Sequence, residues 1–258
     1  MELIDTHCHL TFEQFAGSVE DVLARSRQAG VTGWITIGTD TLQNRKAVEL
    51  AGRFENIYAT VGIHPNYAAD ATGEMIEELK ELARNKKVVA IGETGLDFHY
   101  NFSKQQAQEE LFIQHLQIAG ELNLPVIIHC REAFDRTMEI LMRFASNLKG
   151  VVFHCFSGSP EEAAIVLDKG FYISFTGVVT FKSADISRQA ATVVPLDRLM
   201  IETDCPYMSP EPMRKQKINE PALMVHTAAK LAELKAMAPA DFAEAVTATS
   251  RRFFNLPA

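Results

Sequence analysis

Val88-Val89-Ala90-Ile91-Gly92-Glu93-Thr94-Gly95-Leu96 is an apolar run that closes on one carboxylate set between two glycines. Its β-branched start reads as a buried strand. A carboxylate at the end of such a strand needs a partner, because burying an ionised group alone is costly. Four further segments close short apolar runs with metal-binding side chains: Asp5-Thr6-His7-Cys8-His9, Ile128-His129-Cys130, Phe153-His154-Cys155 and Glu202-Thr203-Asp204. One ligand-type residue at a strand end is ordinary packing. The set His7, His9, Glu93, His129, His154 and Asp204, delivered from five strand ends, is not, and divalent cations are the economical partner.

Outward from these segments the chain alternates strand and helix. Strand-like runs fall at 2–9, 32–38, 57–64, 88–96, 125–130, 151–156, 171–177 and 199–204. Helical patterns fall between them at 19–29, 42–53, 74–84, 105–122, 133–146, 161–169 and 184–193, with 221–235 and 240–254 after the eighth strand. Ser159-Pro160-Glu161-Glu162 offers an N-cap, a first-position proline and first-turn acids, and Asn219-Glu220-Pro221 repeats the theme. Gly30, Gly52 and Gly170 suit left-handed helix ends.

Strict alternation calls for a parallel sheet covered by helices, and eight units favour a closed (β/α)8 TIM barrel over an open doubly wound sheet. The ligand-type residues lie at the C-terminal ends of strands one, four, five, six and eight, with His64 ending the third. Barrel enzymes assemble their sites on that face from many strands, whereas an open sheet concentrates its site at one switch point. No Gly-rich phosphate loop is present. A single domain spanning 1–258 is expected, without linker, repeat or low-complexity tract.

Composition narrows the class. With 47% apolar and 22% charged residues the 258-residue chain reads as an ordinary globular protein that needs no disulfide for stability. No uncharged apolar stretch is long enough to span a membrane, no basic segment precedes a hydrophobic run near Met1, so no leader is expected, and the expected compartment is the cytoplasm. A net charge of −8 argues against broad coating of nucleic acid but permits a local grip through cations and a few Arg or Lys. The four cysteines show no CxxC spacing, and each sits beside a ligand-type residue. Strand alternation then turns Cys8, Cys130 and Cys155 towards the helices as small packing residues.

The spacing suggests an arrangement. His7 and His9, one residue apart, can bind one ion from adjacent points. Asp204 ends the eighth strand, next to the first in a closed barrel, and can reach the same ion. His129 and His154 end neighbouring strands and can hold a second. Glu93, where glycines permit close backbone approach, suits a bridge between two ions about 3.5–4 Å apart.

The chain resembles the TatD family of metal-dependent deoxyribonucleases, within the amidohydrolase-like barrel superfamily. The resemblance runs essentially full length. It rests on Asp5–His9, Gly62-Ile63-His64-Pro65, Gly92-Glu93-Thr94-Gly95-Leu96-Asp97, Ile128-His129-Cys130-Arg131, His154-Cys155-Phe156-Ser157-Gly158, Glu202-Thr203-Asp204-Cys205-Pro206-Tyr207 and Asn219-Glu220-Pro221. It implies that His7, His9, Glu93, His129, His154 and Asp204 are the metal ligands. It also implies hydrolysis of DNA, often from 3′ to 5′, with Mg²⁺, Mn²⁺ or Zn²⁺. Where the resemblance leads one to expect a Tyr-Arg-Gly-Lys-type stretch before Asn219, this chain has Pro212-Met213-Arg214-Lys215-Gln216-Lys217-Ile218.

The expected enzyme is therefore a hydrolase with two divalent ions, Zn, Mn or Mg, acting on single-stranded DNA or DNA ends. Asp204 would accept a proton from water, while His64 and Arg131 would bind phosphate or the leaving oxygen. Arg131 could instead pair with Glu132 or Asp135, and His64, just before Pro65, could simply cap its strand and bond to backbone. Glu202 and Asp97 could orient ligating imidazoles. Phe98, Tyr100, Phe102, Phe156 and Tyr207 follow ligand strands and could stack on unpaired bases or simply pack. Arg214, Lys215 and Lys217 could hold a phosphate or merely be solvated, and His99, His115 and His226 read as structural or surface residues. Two other readings stand beside this one. The same metals could cleave an ester or amide, including that of a D-aminoacyl-tRNA, or the chain could be a non-catalytic metal-binding interaction protein.

Overall fold

The computed structural model describes residues 2–257. Its strands are β1 (Leu3–Cys8), β2 (Val31–Thr36), β3 (Ile57–Val61), β4 (Val88–Asp97), β5 (Val126–Arg131), β6 (Val151–Phe153), β7 (Tyr172–Phe175) and β8 (Leu199–Ile201). They join one sheet in chain order, the (β/α)8 barrel expected from the alternation. The helices are α1 (Val19–Ala29), α2 (Thr41–Arg53), α3 (Gly73–Leu82), α4 (Gln105–Leu122), α5 (Phe134–Met142), α6 (Pro160–Asp168), α7 (Asp185–Val193), α8 (Met224–Leu234) and α9 (Pro239–Phe254). β1 and β4 are buried at every position, so neither alternates: each starts with apolar residues and then buries polar ones, Asp5, Thr6 and His7 in β1 and Glu93, Thr94 and Asp97 in β4. Among the described residues no helix is long and apolar enough to cross a membrane.

The chain divides into two compact units, one running up to Thr36 and resuming at Cys155, the other Ile37–His154. In the first, Trp34 of β2 is fully buried, its indole N–H donates to Ser26 Oγ of α1 at 2.9 Å, and the Arg27 guanidinium lies 5.3 Å over its ring. The segment after β8 returns to β1: Asp204 N donates to His7 O and His9 N to Cys205 O, both at 2.9 Å. The Ser159 cap of α6 forms a reciprocal pair with Glu162.

In the second unit, α4 packs on β4 and braces it with polar side chains. Gln108 accepts from Asp97 N at 2.9 Å and donates to Asp97 O at 2.9 Å and to Ser103 O at 3.0 Å. His115 is fully buried, with Nδ1 2.8 Å from Leu111 O and Nε2 accepting from Ile63 N at 3.0 Å. Burial pushes its pKa down to about 4.

Several local expectations change. β6 and β8 end at Phe153 and Ile201, so His154 and Asp204 lie just beyond their strands. The backbone turns left-handed at Cys155 (φ 45°) and Asp204 (φ 51°), a conformation no strand accommodates. Cys155 therefore does not follow strand parity, and its sulfur approaches Thr176 Oγ1 at 3.5 Å and Met208 Sδ at 3.8 Å. Cys130 does face a helix, with Sγ 3.5 Å from Thr137 Oγ1 of α5, and Cys8 is buried. Gly52 lies inside α2, which runs on to Arg53. Asn219 is no helix cap, because Glu220 precedes the short turn there. The Asn219 amide instead donates to Thr203 O at 3.0 Å and Tyr207 O at 2.7 Å.

Candidate metal-binding clusters

The Gly92–Gly95 segment explains how a carboxylate reaches the end of β4. Pairing with β5 shifts between Ile91 and Thr94, so β4 carries an extra residue at Gly92-Glu93, a bulge that redirects the glutamate. Gly95 pairs with His129 and Asp97 with Arg131. A Cβ on Gly92 (φ 137°) would sit 2.6 Å from Ile127 O, and one on Gly95 (φ 140°) 2.1 Å from His129 O. Only glycine permits this approach.

Three imidazoles converge on the resulting carboxylate. Glu93 Oε1 lies 2.7 Å from His129 Nδ1, 2.8 Å from His154 Nε2 and 3.5 Å from His64 Nε2. His154 Nε2 and His129 Nδ1 are 3.3 Å apart. Burial opposes the charge on Glu93, but the facing imidazoles, His154 foremost, outweigh it and hold the pKa well below the usual range. The far nitrogen of His129 faces Asp97 Oδ2 at 3.1 Å. Burial disfavours its protonation, yet the hydrogen bonds to Asp97 and Glu93 prevail and the pKa is raised.

His64 differs. Its Nδ1 accepts from Asn66 N at 3.1 Å, and burial pushes its pKa down to about 3 against the pull of Glu93. With Nδ1 serving as acceptor, the neutral ring carries its proton on Nε2, which faces Glu93 Oε1 at 3.5 Å.

The other unit holds His7, His9 and Asp204. Asp204 Oδ1 lies 3.6 Å from His7 Nε2 and 3.1 Å from His9 Nε2, and the two imidazoles meet edge to face at 5.1 Å. The backbone bonds between β1 and the segment after β8 set this contact. Beneath it, the fully buried Asp5 accepts from Thr203 N at 3.0 Å, Thr203 Oγ1 at 2.6 Å and His7 N at 3.4 Å. Burial raises its pKa to about 7, against the bonds from Thr203. Glu202 accepts from Cys155 N and Ser174 Oγ, each at 2.6 Å.

Both groups fit a divalent cation. The ligand atoms of His7, His9 and Asp204 lie within 4.8 Å of one another, and Glu93 Oε1 lies 2.7 Å from His129 Nδ1 and 2.8 Å from His154 Nε2, which are themselves 3.3 Å apart. Nδ1 of His9 is buried without a hydrogen-bond partner among the described residues. In the second unit, imidazole nitrogens crowd one carboxylate oxygen, a donor set whose charge a cation balances.

The remaining sequence-derived residues separate by exposure. Arg131 stacks its guanidinium over Tyr100 at 4.8 Å, while Glu132 goes to His99 Nδ1 at 2.6 Å. Tyr100 and Phe102 are exposed, and Phe98 is half-buried. Phe156 is buried edge-on against Phe175 and cannot meet a base. Tyr207 is exposed, 6.2 Å from the His9 ring. Arg214 lies 3.5 Å over Phe181, an attractive cation–π contact. Sequence reasoning passed over Asp5, whose signal was an acid two residues before His7, and Gln108, which carried none.

The profile of the family described as "TatD related DNase" matches residues 4–255. The chain belongs to this family. TatD relatives cover it almost completely. An uncharacterized metal-dependent hydrolase, YabD of Bacillus subtilis (strain 168), is 39% identical over 98% of this chain and 99% of its own. A protein named 3′-5′ ssDNA/RNA exonuclease TatD, from Erwinia billingiae (strain Eb661), is 38% identical over 99% of this chain and 100% of its own. The crystal structure of the TatD homolog YJJV from Escherichia coli K12 superposes with a TM-score of 0.93 at 32% identity, covering 99% of this chain and 98% of that one. The TatD fold and membership in a family of metal-dependent hydrolases follow.

Proposed function

We propose that this TatD protein hydrolyses phosphodiester bonds of single-stranded or frayed DNA, shortening it from the 3′ end through a metal-activated water. The observation that carries the reading is the near-complete match to a relative named as a 3′-5′ exonuclease, on a chain that builds two imidazole–carboxylate clusters. Each cluster would hold one divalent ion, Zn, Mn or Mg: His7, His9 and Asp204 one, and Glu93, His129 and His154 the other. Such ions lower the pKa of bound water towards about 7 and offset charge on phosphate oxygens.

The protein groups divide the remaining work. Asp204 accepts the water's proton as general base. Glu93, held ionised, supplies fixed negative charge among its imidazoles. Neutral His64 donates through Nε2 to a phosphoryl or leaving oxygen, where charge develops. Arg131, exposed and two residues past His129, offers a planar fork to a neighbouring phosphate.

The test is a substrate panel on metal-loaded protein: 3′- and 5′-labelled single-stranded DNA, a simple phosphodiester, a carboxylic ester and a D-aminoacyl-tRNA, each with a Glu93→Ala control. Progressive shortening from the 3′ end, lost in the control, supports the reading. Tenfold or greater preference for an acyl substrate would replace it with ester or amide hydrolysis. Inactivity on the whole panel with metal bound would leave a binding protein.

A further inference from the structure

Exposed aromatic residues gather on one short turn beside the Glu93 cluster. Tyr100 is 40% and Phe102 66% exposed, with ring centroids 5.3 Å apart and planes tilted by 37°. Single exposed aromatics are common and need no account. These are different because the turn that carries them is tied down on both flanks. Asp97 Oδ1 accepts from His99 N at 3.0 Å and Tyr100 N at 3.1 Å. Phe98 N donates to Arg131 O at 2.9 Å. Ser103 Oγ accepts from Ala69 N and donates to Asn66 O, both at 2.9 Å, while Gln108 ties Ser103 O to Asp97 O. A loop held this firmly while showing apolar rings to solvent is pre-organised for a ligand, since the ordering cost is already met in the free protein.

The same turn is registered to the cluster. The Asp97 carboxylate that caps it also contacts His129 through Oδ2, and Arg131 leads from the His129 strand onto the Tyr100 ring. Arg131 covers one face of Tyr100 and Phe102 lies beside it, so a group stacking here meets the more exposed Phe102 ring and the edge of the Tyr100–Arg131 pair, in register with Glu93 and His129. Planar unpaired nucleobases suit such a surface, because every base offers a π-face whatever its sequence. Charge points the same way. A net charge of −8 disfavours a polyanion overall, and stacking supplies affinity without charge.

Building on the nuclease reading, we infer that Tyr100 and Phe102 form a stacking platform for unpaired bases of the strand whose phosphodiester is cut, with Arg131 binding the phosphate between platform and cluster. Paired bases are stacked on each other and cannot use it, so the platform selects single strands.

The experiment reads binding rather than turnover. Metal-free full-length protein is titrated with oligonucleotides carrying 2-aminopurine near the 3′ end, a base whose fluorescence is quenched on stacking. Three ligands are compared: the single strand, the same strand fully duplexed, and an abasic version monitored through a remote label. The single strand should quench and the duplex should not. Tyr100→Ala and Phe102→Ala should each weaken single-strand binding by about tenfold or more, and Phe102→Trp should restore it. The loss should stay constant across a salt series, unlike the loss of a phosphate contact. Both side chains are exposed, and unchanged thermal melting confirms that the variants fold. Equal affinity for the abasic strand, or wild-type binding by both alanine variants, would overturn the platform. If quenching holds while metal-loaded protein leaves DNA intact, the platform survives and the nuclease reading falls. If DNA is shortened and quenching is absent, the reverse is true.

Discussion

Asp97 and Glu93 grip His129 from opposite ends of its ring, with Asp97 Oδ2 3.1 Å from Nε2 and Glu93 Oε1 2.7 Å from Nδ1. Burial works against an ionised Asp97, but bonds from His129, Tyr100 N and His99 N prevail and lower its pKa. A ring fixed in this way has one orientation and one nitrogen to offer a cation. Asp97→Ala should weaken metal binding about 10–100-fold, measured by calorimetric titration of the metal-free protein. Unchanged affinity would show that Asp97 serves the turn alone.

Asp204→Asn keeps the shape of a side chain that sits against His7 and His9 while removing its basicity. Turnover on single-stranded DNA should fall about 10²–10⁴-fold, with metal content by elemental analysis largely retained. A near-normal rate would strip Asp204 of the general-base role.

Gly95→Ala places a methyl 2.1 Å from the His129 carbonyl at a φ of 140°. Backbone rather than a flexible side chain is in the way, so β4 and β5 must separate. The variant should lose about 3 kcal/mol or more of stability, read from urea unfolding. A loss below about 1 kcal/mol would mean the strands shift freely there.

His115 makes stability depend on pH. Its folded pKa, near 4, lies below the ordinary 6.5, so the unfolded chain binds the extra proton. The contribution is complete above pH 6.5 and declines as pH falls towards 4, by on the order of 3 kcal/mol in all. His115→Gln, which can still accept from Ile63 N, should flatten this slope in urea unfolding compared at about pH 7 and pH 5. An identical slope in the variant would assign the dependence elsewhere.

Much of this was legible in the sequence, for physical reasons. Glycines flanking Glu93 announced a close backbone approach, and Gly92 and Gly95 meet the β5 carbonyls accordingly. Fully buried strands gave unbroken apolar runs, and the ends of those runs carried the polar exceptions. The misses share a cause, namely geometry set by distant partners. Asp5 is fixed by Thr203, 198 positions further along the chain, which no local pattern encodes. Left-handed residues at Cys155 and Asp204 broke a parity argument that holds only inside strands. Phe156 and Phe102 look alike in the sequence, yet the first is buried against Phe175 and the second faces solvent.

Trp34 is the only tryptophan in the chain, sealed in the core with its N–H bound to Ser26. The protein thus carries an intrinsic optical gauge of folding, blue-shifted while the core is intact and red-shifted once water enters. The nucleobase titrations rely on 2-aminopurine, which can be excited to the red of tryptophan absorption, so one cuvette can report binding and structural integrity by switching the excitation wavelength.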